Sequence, residues 1–119
     1  MKILVIDDEE GLSFIISKFL KSRGFETALA TNGQEGIKII GSSEIDLVVS
    51  DINMPGKSGL DVLEYVRSNH PGIPVIMMTG EATKKERESA LALGAFGIIK
   101  KPFLLSDLLG KIKEALGKE

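Results

Sequence analysis

Two apolar runs in this sequence end on bare carboxylates. "KILVIDDEE" closes on Asp7 and Asp8, and "VVSDINMPG" sets Asp51 between an apolar run, Ile45 then Leu47 to Val49, and a loop with no obvious helix start for it to cap. Two more runs end on other reactive groups, Thr79 in "VIMMTG" and Lys101 in "GIIKKP". Taken singly, each has an ordinary reading. An Asp after a strand commonly caps the next helix, "NMPG" carries turn chemistry by itself, Thr79 before a glycine is a weak signal, and most lysines are solvated. Gathered at one place they mean more, because three carboxylates repel one another and raise a pKa unless a cation neutralises them. A hard divalent cation such as Mg²⁺ resolves the conflict: it takes oxygen ligands and bridges protein carboxylates to phosphoryl oxygens. A carboxylate beside it can attack phosphorus to form an aspartyl phosphate. Lys101 would then pair with one phosphoryl oxygen, and the Thr79 hydroxyl would donate to another once the group arrives.

The elements that must bring these residues together are legible from apolar spacing. Residues 3–6 read as a strand, and Leu12, Ile15, Ile16, Phe19 and Leu20 then follow helical spacing up to Gly24. Residues 25–30 form a weaker strand; Asn32, with Glu35 three positions on, opens a helix that stops at Gly41. Residues 45–50 are the third strand. Ser58 with Asp61 opens a helix carrying Leu60, Leu63 and Val66, and "HPG" ends it. Residues 74–78 follow, then a capping box at Thr83 and Glu86 opening a helix that ends at Gly94. Ile98 and Ile99 belong to a fifth strand, and Leu105, Leu108, Leu109, Ile112 and Leu116 stripe a last helix. Five strand–helix units predict the α/β class: a single doubly wound five-stranded parallel sheet with five helices. In such a sheet every strand's carboxyl end lies along one edge, where ligands bind. That edge collects Asp7, Asp8, Asp51, Thr79 and Lys101.

Composition narrows the function. At 119 residues, 43% of them hydrophobic with a mean hydropathy of +0.13, the chain is one domain able to bury a core. Lys and Arg total 15 against 17 Asp and Glu, a net charge of -2, so the chain has no basic footprint for nucleic acid. The lack of cysteine excludes disulfides and thiolate metal sites and suits a reducing compartment. Met1 and Lys2 are followed by four apolar residues before Asp7, too few for a secretion signal, and no run approaches a membrane span. A cytoplasmic protein with no membrane partner is expected.

The segments "VIDDEE", "VVSDINMPGKSGLDVL", "VIMMTGEA" and "GAFGIIKKPF" together resemble the receiver domain of two-component response regulators, from Met1 to about Leu116. The resemblance implies one receiver domain over 1–119, with the flavodoxin-like strand order 2-1-3-4-5. It makes Asp51 the phosphoacceptor, Asp8 a direct Mg²⁺ ligand, Asp7 a ligand through water and the Asn53 backbone carbonyl a further ligand. Thr79 becomes the switch hydroxyl, and Lys101, before a usually cis Pro102, the phosphate-binding lysine. The donor it implies is a histidine kinase or histidine phosphotransfer protein, and the signal passes to an output domain or protein. The chain is then a phosphoacceptor that promotes its own Mg²⁺-dependent transfer, not an enzyme acting on a separate substrate.

Three positions depart from expectation. Ile98 stands where many family members carry a Tyr or Phe coupled to the switch hydroxyl. Leu104 sits where the last helix would take a polar cap, and Phe14 falls opposite the apolar stripe of the first helix. Rival functions fail on particular residues. A haloacid dehalogenase phosphatase needs a general acid two residues after its nucleophile, and that position is Asn53. A flavodoxin needs a neutral, hydroxyl-rich first loop, whereas "DDEEG" would repel a flavin phosphate. An ATPase or kinase lacks its glycine-rich loop, so the phosphoryl group must come from a partner or a small donor. The remaining alternative is a receiver-like interaction module that is never phosphorylated, which uptake of a phosphoryl group would distinguish.

Overall fold

The structure, a computed structural model, describes residues 1–117, two short of the expected 1–119 domain. Its elements alternate as β1 (Lys2–Ile6), α1 (Glu10–Ser22), β2 (Glu26–Ala30), α2 (Gly33–Ser42), β3 (Leu47–Asp51), α3 (Gly59–Asn69), β4 (Val75–Thr79), α4 (Lys84–Ala92), β5 (Gly97–Lys100) and α5 (Leu105–Ala115). The five strands form one parallel sheet in the order β2-β1-β3-β4-β5. β3 and β4 are buried at every position and β1 at every position after Lys2, so the central strands, apolar until Ser50, Asp51 and Thr79 at their carboxyl ends, bury both faces. Ile3, Val5, Leu47, Val49, Ile76 and Met78 pack against Ile16 and Leu20 of α1 and Leu108 and Ile112 of α5. The alternate residues Leu4, Ile6, Val48, Val75 and Met77 pack against α2, α3 and α4 through Ile40, Val62, Leu63, Val66 and Ala90.

Helix starts follow local chemistry. Ser58 and Asp61 form a reciprocal capping box at α3, as do Thr83 and Glu86 at α4. The Asn32 side chain accepts from the Glu35 amide, while the Glu35 carboxylate reaches back to the Thr31 amide. Leu104 caps α5 without any side-chain bond, as its type dictates.

Three expectations need correction. The helix expected to stop at Gly41 runs through it to Ser42, whose hydroxyl donates to the Lys38 carbonyl. The third and fourth strands lie later than expected, so Asp51 and Thr79 are ladder residues, paired with Met78 and Lys100, rather than loop residues beyond the strands. Ile45 is buried in the lead-in, beside Asp46, whose amide and carboxylate both bond the Lys2 backbone. Ile15 is not in the buried stripe. Ser13, Ile16, Ser17 and Leu20 face inward, and the Ser17 hydroxyl lies 2.6 Å from that of Thr27 on β2. The small serines let α1 settle on that side, which rotates Ile15 out beside Phe14, 53% and 62% exposed.

Gly59 controls how the strand edge meets α3. A Cβ built there would lie 2.0 Å from the Asp51 carbonyl oxygen and 2.7 Å from Met77 Cε, and the Gly59 amide donates to the Ile52 carbonyl at 2.8 Å. The backbone oxygen cannot give way as a flexible side chain would. Gly59→Ala should therefore destabilise the fold by about 1–3 kcal/mol in urea unfolding. Gly110→Ala, in α5 with nothing within 4 Å of its added Cβ, should stabilise by about 0.5–1 kcal/mol. Similar effects at the two sites would contradict this reading of the α3 contact.

Candidate functional site

The parallel register carries the strand ends to one edge. Ile6 pairs with Ser50, Asp51 with Met78 and Thr79 with Lys100, so Asp7, Asp51, Thr79 and Lys101 emerge at nearly one level. Asp7 continues β1 by donating its amide to the Ala30 carbonyl and is fully buried. Its Oδ1 accepts from the Glu9 amide at 2.9 Å, which uses a carboxylate oxygen in a local turn. Asp8 is exposed; the cap position of α1 falls to Glu9, which makes no side-chain cap bond, so the capping role open to Asp8 is not used.

Lys101 reaches across the edge. Its Nζ donates to Asp7 Oδ2 at 2.8 Å, to Asp51 Oδ2 at 3.1 Å and to Glu9 Oε1 at 3.1 Å. The peptide joining it to Pro102 is cis. Carboxylate oxygens of Asp7, Asp8 and Asp51 all lie within 4.8 Å of one another. One ammonium facing these acids and Glu9 leaves the crevice negative. An all-oxygen donor set of this kind fits a small hard cation and not a thiophilic one. The crevice itself, about 740 Å³, is lined by Asp8, Glu9, Asp51, Asn53 and Lys101 on its polar side and by Leu12, Ile15 and Phe103 on its apolar side.

Electrostatics distinguish the two charged partners. Asp51 is 7% exposed, and burial pushes its carboxyl above the ordinary value against the opposing pull of the Lys101 ammonium. For Lys101, burial alone would favour the neutral amine, but hydrogen bonds to Asp7, Asp51 and Glu9 reverse this and hold it well above the usual lysine range. Lys101 thus stays charged, and Asp51 is the strained member of the pair.

Thr79 is 3% exposed, and its hydroxyl accepts from the Ala82 amide at 2.9 Å. It borders a second cavity of about 640 Å³ beneath α4, together with Ile98, Leu91, Arg87 and Lys100, while Gly80 borders both cavities. Of the expected site residues, Asp7, Asp8, Asp51 and Lys101 are therefore gathered and Asn53 lines the same crevice, whereas Thr79 lines the second cavity, its hydroxyl bonded to the loop that follows it. The sequence reading missed Glu9 as a partner of Lys101, since it offered only one more acid in "DDEE". It also missed Arg87, whose Nη1 donates to the Ala82 carbonyl at 2.7 Å.

The raised Asp51 carboxyl has a thermodynamic sign. Its folded value exceeds the unfolded one, so ionised Asp51 costs stability at neutral pH, and the cost vanishes once pH falls below the ordinary carboxylate value. Asp51→Asn should therefore raise the melting temperature of the metal-free protein at pH 7. The advantage should shrink as pH falls through the carboxylate range. A lower melting temperature at pH 7, or a gain independent of pH, would contradict this.

Comparison with known proteins agrees with this geometry. The family model described as response regulator receiver domain matches residues 3–113. The Enterococcus faecium regulatory protein VanR is 35% identical over 115 residues, 97% of this chain and 49% of that protein, so the chain spans about half the length of the curated relatives it matches. The crystal structure of a CheY-like receiver domain protein from Methanospirillum hungatei superposes with a TM-score of 0.94 at 34% identity, covering 98% of this chain and 93% of that one. The Thermotoga maritima response regulator TrrA, in complex with Mg(2+)-BeF, superposes with a TM-score of 0.87 at 34% identity, covering 97% and 98%. Among the described residues no helix is long and apolar enough to cross a membrane. A receiver match over nearly the whole length, carried on the 2-1-3-4-5 sheet with the acids at its carboxyl edge, makes this chain a member of the response regulator receiver domain family of two-component systems.

Proposed function

We propose that Asp51 is the phosphoacceptor of a signalling switch, charged by a phosphohistidine on a histidine kinase or histidine phosphotransfer protein in the cytoplasm. The observation that carries the proposal is the Lys101 ammonium bound to both Asp7 and Asp51, beside three carboxylates close enough to share one cation. The Asp7, Asp8 and Asp51 carboxylates, with the Asn53 backbone carbonyl, are the groups to hold Mg²⁺. That ion supplies charge neutralisation to the phosphoryl oxygens when bound. The TrrA structure, which holds Mg(2+)-BeF, supports the assignment by analogy.

The protein's own residues then have defined work. A carboxylate oxygen of Asp51 attacks phosphorus as the donor's P–N bond breaks, and the imidazole leaves with the bonding pair and takes its proton from solvent. Burial favours this attack because a desolvated carboxylate is held less firmly by water. Lys101 exchanges Asp51 for a phosphoryl oxygen while keeping Asp7 and Glu9, so it arrives already oriented. The Thr79 hydroxyl leaves the Ala82 amide and donates to a second phosphoryl oxygen, drawing the loop after β4 toward the crevice. Ile98 has no hydroxyl and is stiff at χ1, so the response is carried by this loop and α4 while Ile98 stays packed. VanR and the Escherichia coli transcriptional regulatory protein CusR are about twice the length of this chain, and the signal passes to an output domain or protein.

Incubation with acetyl phosphate and Mg²⁺ should add one phosphoryl mass to the chain, and chelation or Asp51→Asn should abolish the addition. Lys101→Ala should slow labelling by on the order of 10²-fold. Thr79→Ala should still label, and should lose instead the amide shifts that beryllofluoride and Mg²⁺ produce between Gly80 and Ala95. Full labelling of Asp51→Asn, or none of Thr79→Ala, would contradict these roles.

A further inference from the structure

The loop between β4 and α4 is held from both sides at one residue. Ala82 is buried, its amide donates to the Thr79 hydroxyl at 2.9 Å, and its carbonyl accepts from Arg87 Nη1 at 2.7 Å. That carbonyl lies outside the helical ladder. The Glu86 amide, which would otherwise reach for it, bonds the Thr83 hydroxyl of the capping box, and the Arg87 amide bonds the Thr83 carbonyl. The guanidinium can reach it because helical side chains slant toward the helix N-terminus. Gly80 and Glu81, between Thr79 and Ala82, are exposed. The helix that carries Arg87 is itself lightly anchored, with Ala90 its one buried residue. Such a segment opens at low cost unless something pins it.

We propose that Arg87 is a positioning residue that latches this loop in its resting place, keeping the Thr79 hydroxyl on the Ala82 amide and away from the crevice. The inference rests on the reading of Thr79 as the hydroxyl that follows the phosphoryl group. Moving Thr79 toward Asp51 must carry Ala82 with it or break its amide bond, and either movement strains the Arg87 bond or pulls α4 along. The arginine therefore opposes spontaneous activation and couples the loop to α4 when activation occurs. Lysine at this position would keep the charge but lose the planar fork that spans the turn.

The test compares unaltered protein, Arg87→Ala and Arg87→Lys. Hydrogen exchange of the metal-free proteins should be several-fold faster over residues 80–83 in Arg87→Ala, with β1 and β3 unchanged. The apparent affinity for beryllofluoride in saturating Mg²⁺ should become about 3- to 10-fold tighter, the effect of one net hydrogen bond removed from the resting state. Arg87→Lys should fall between the two. A merely structural loss would weaken that affinity, so a weaker or unchanged value, or unchanged exchange, would overturn the latch while leaving the Asp51 reading in place. Failure of the unaltered protein to bind beryllofluoride would instead overturn the Asp51 reading, and the latch as a control of signalling with it.

Discussion

The ammonium of Lys101, shared among Asp7, Asp51 and Glu9, is the interaction on which the carboxyl edge of the sheet depends. Asp7 and Asp51 are there because adjacent parallel strands end there, and they cannot separate without disrupting the ladder, whereas Glu9 joins them from the cap of α1. Without a cation between them, Asp7 and Asp51 would be buried side by side uncompensated, a loss of about 3–5 kcal/mol and so a large part of one domain's margin of stability. With the lysine in place the site is tolerable but still net negative. Its excess of carboxylates is what the proposed Mg²⁺ and phosphoryl group would balance between them.

The backbone around this charge cluster is rigid where the chemistry needs it and loose where a response is needed. Asp51 is a ladder residue, its carbonyl is pressed by the α3 start at Gly59, and β3 and β4 are buried throughout. The segment after Thr79 is different, exposed at Gly80 and Glu81 and leading into a helix with one buried residue. Under the proposed function, the packed strands resist deformation and the segment free to respond to Asp51 is the one whose resting position is held by two hydrogen bonds to Ala82. Ile98 fits this division, since it packs with the core beneath α4 and has no polar atom to trade between two positions.

Much of this was legible in the sequence, for identifiable reasons. Apolar runs long enough to be buried on both faces, separated by capped helices, specify a parallel sheet, and a parallel sheet puts Asp7, Asp51, Thr79 and Lys101 along one edge whatever the strand order. The order itself came only from the family resemblance, because a run such as 74–78 does not state which strand lies beside it. Strand ends slipped by a residue or two, since apolar content does not mark where a ladder stops; that hid the placing of Asp51 and Thr79 within the ladder. Ile15 satisfied helical spacing yet lies outside, because two small serines set the rotation of α1 instead. Glu9 and Arg87 were invisible for another reason. Their roles come from single long-reaching side chains meeting a lysine and a carbonyl, and no periodicity encodes such a meeting.

The central claim is that this edge exists to place a phosphoryl group on Asp51. Borohydride reduction of the protein after reaction with acetyl phosphate and Mg²⁺ converts an acyl phosphate to homoserine, and peptide sequencing by mass spectrometry then locates it. The account predicts homoserine at position 51 alone, with Asp7, Asp8 and Glu9 recovered unchanged. Homoserine at any of those three, or its absence from a chain that has gained a phosphoryl mass, would contradict it.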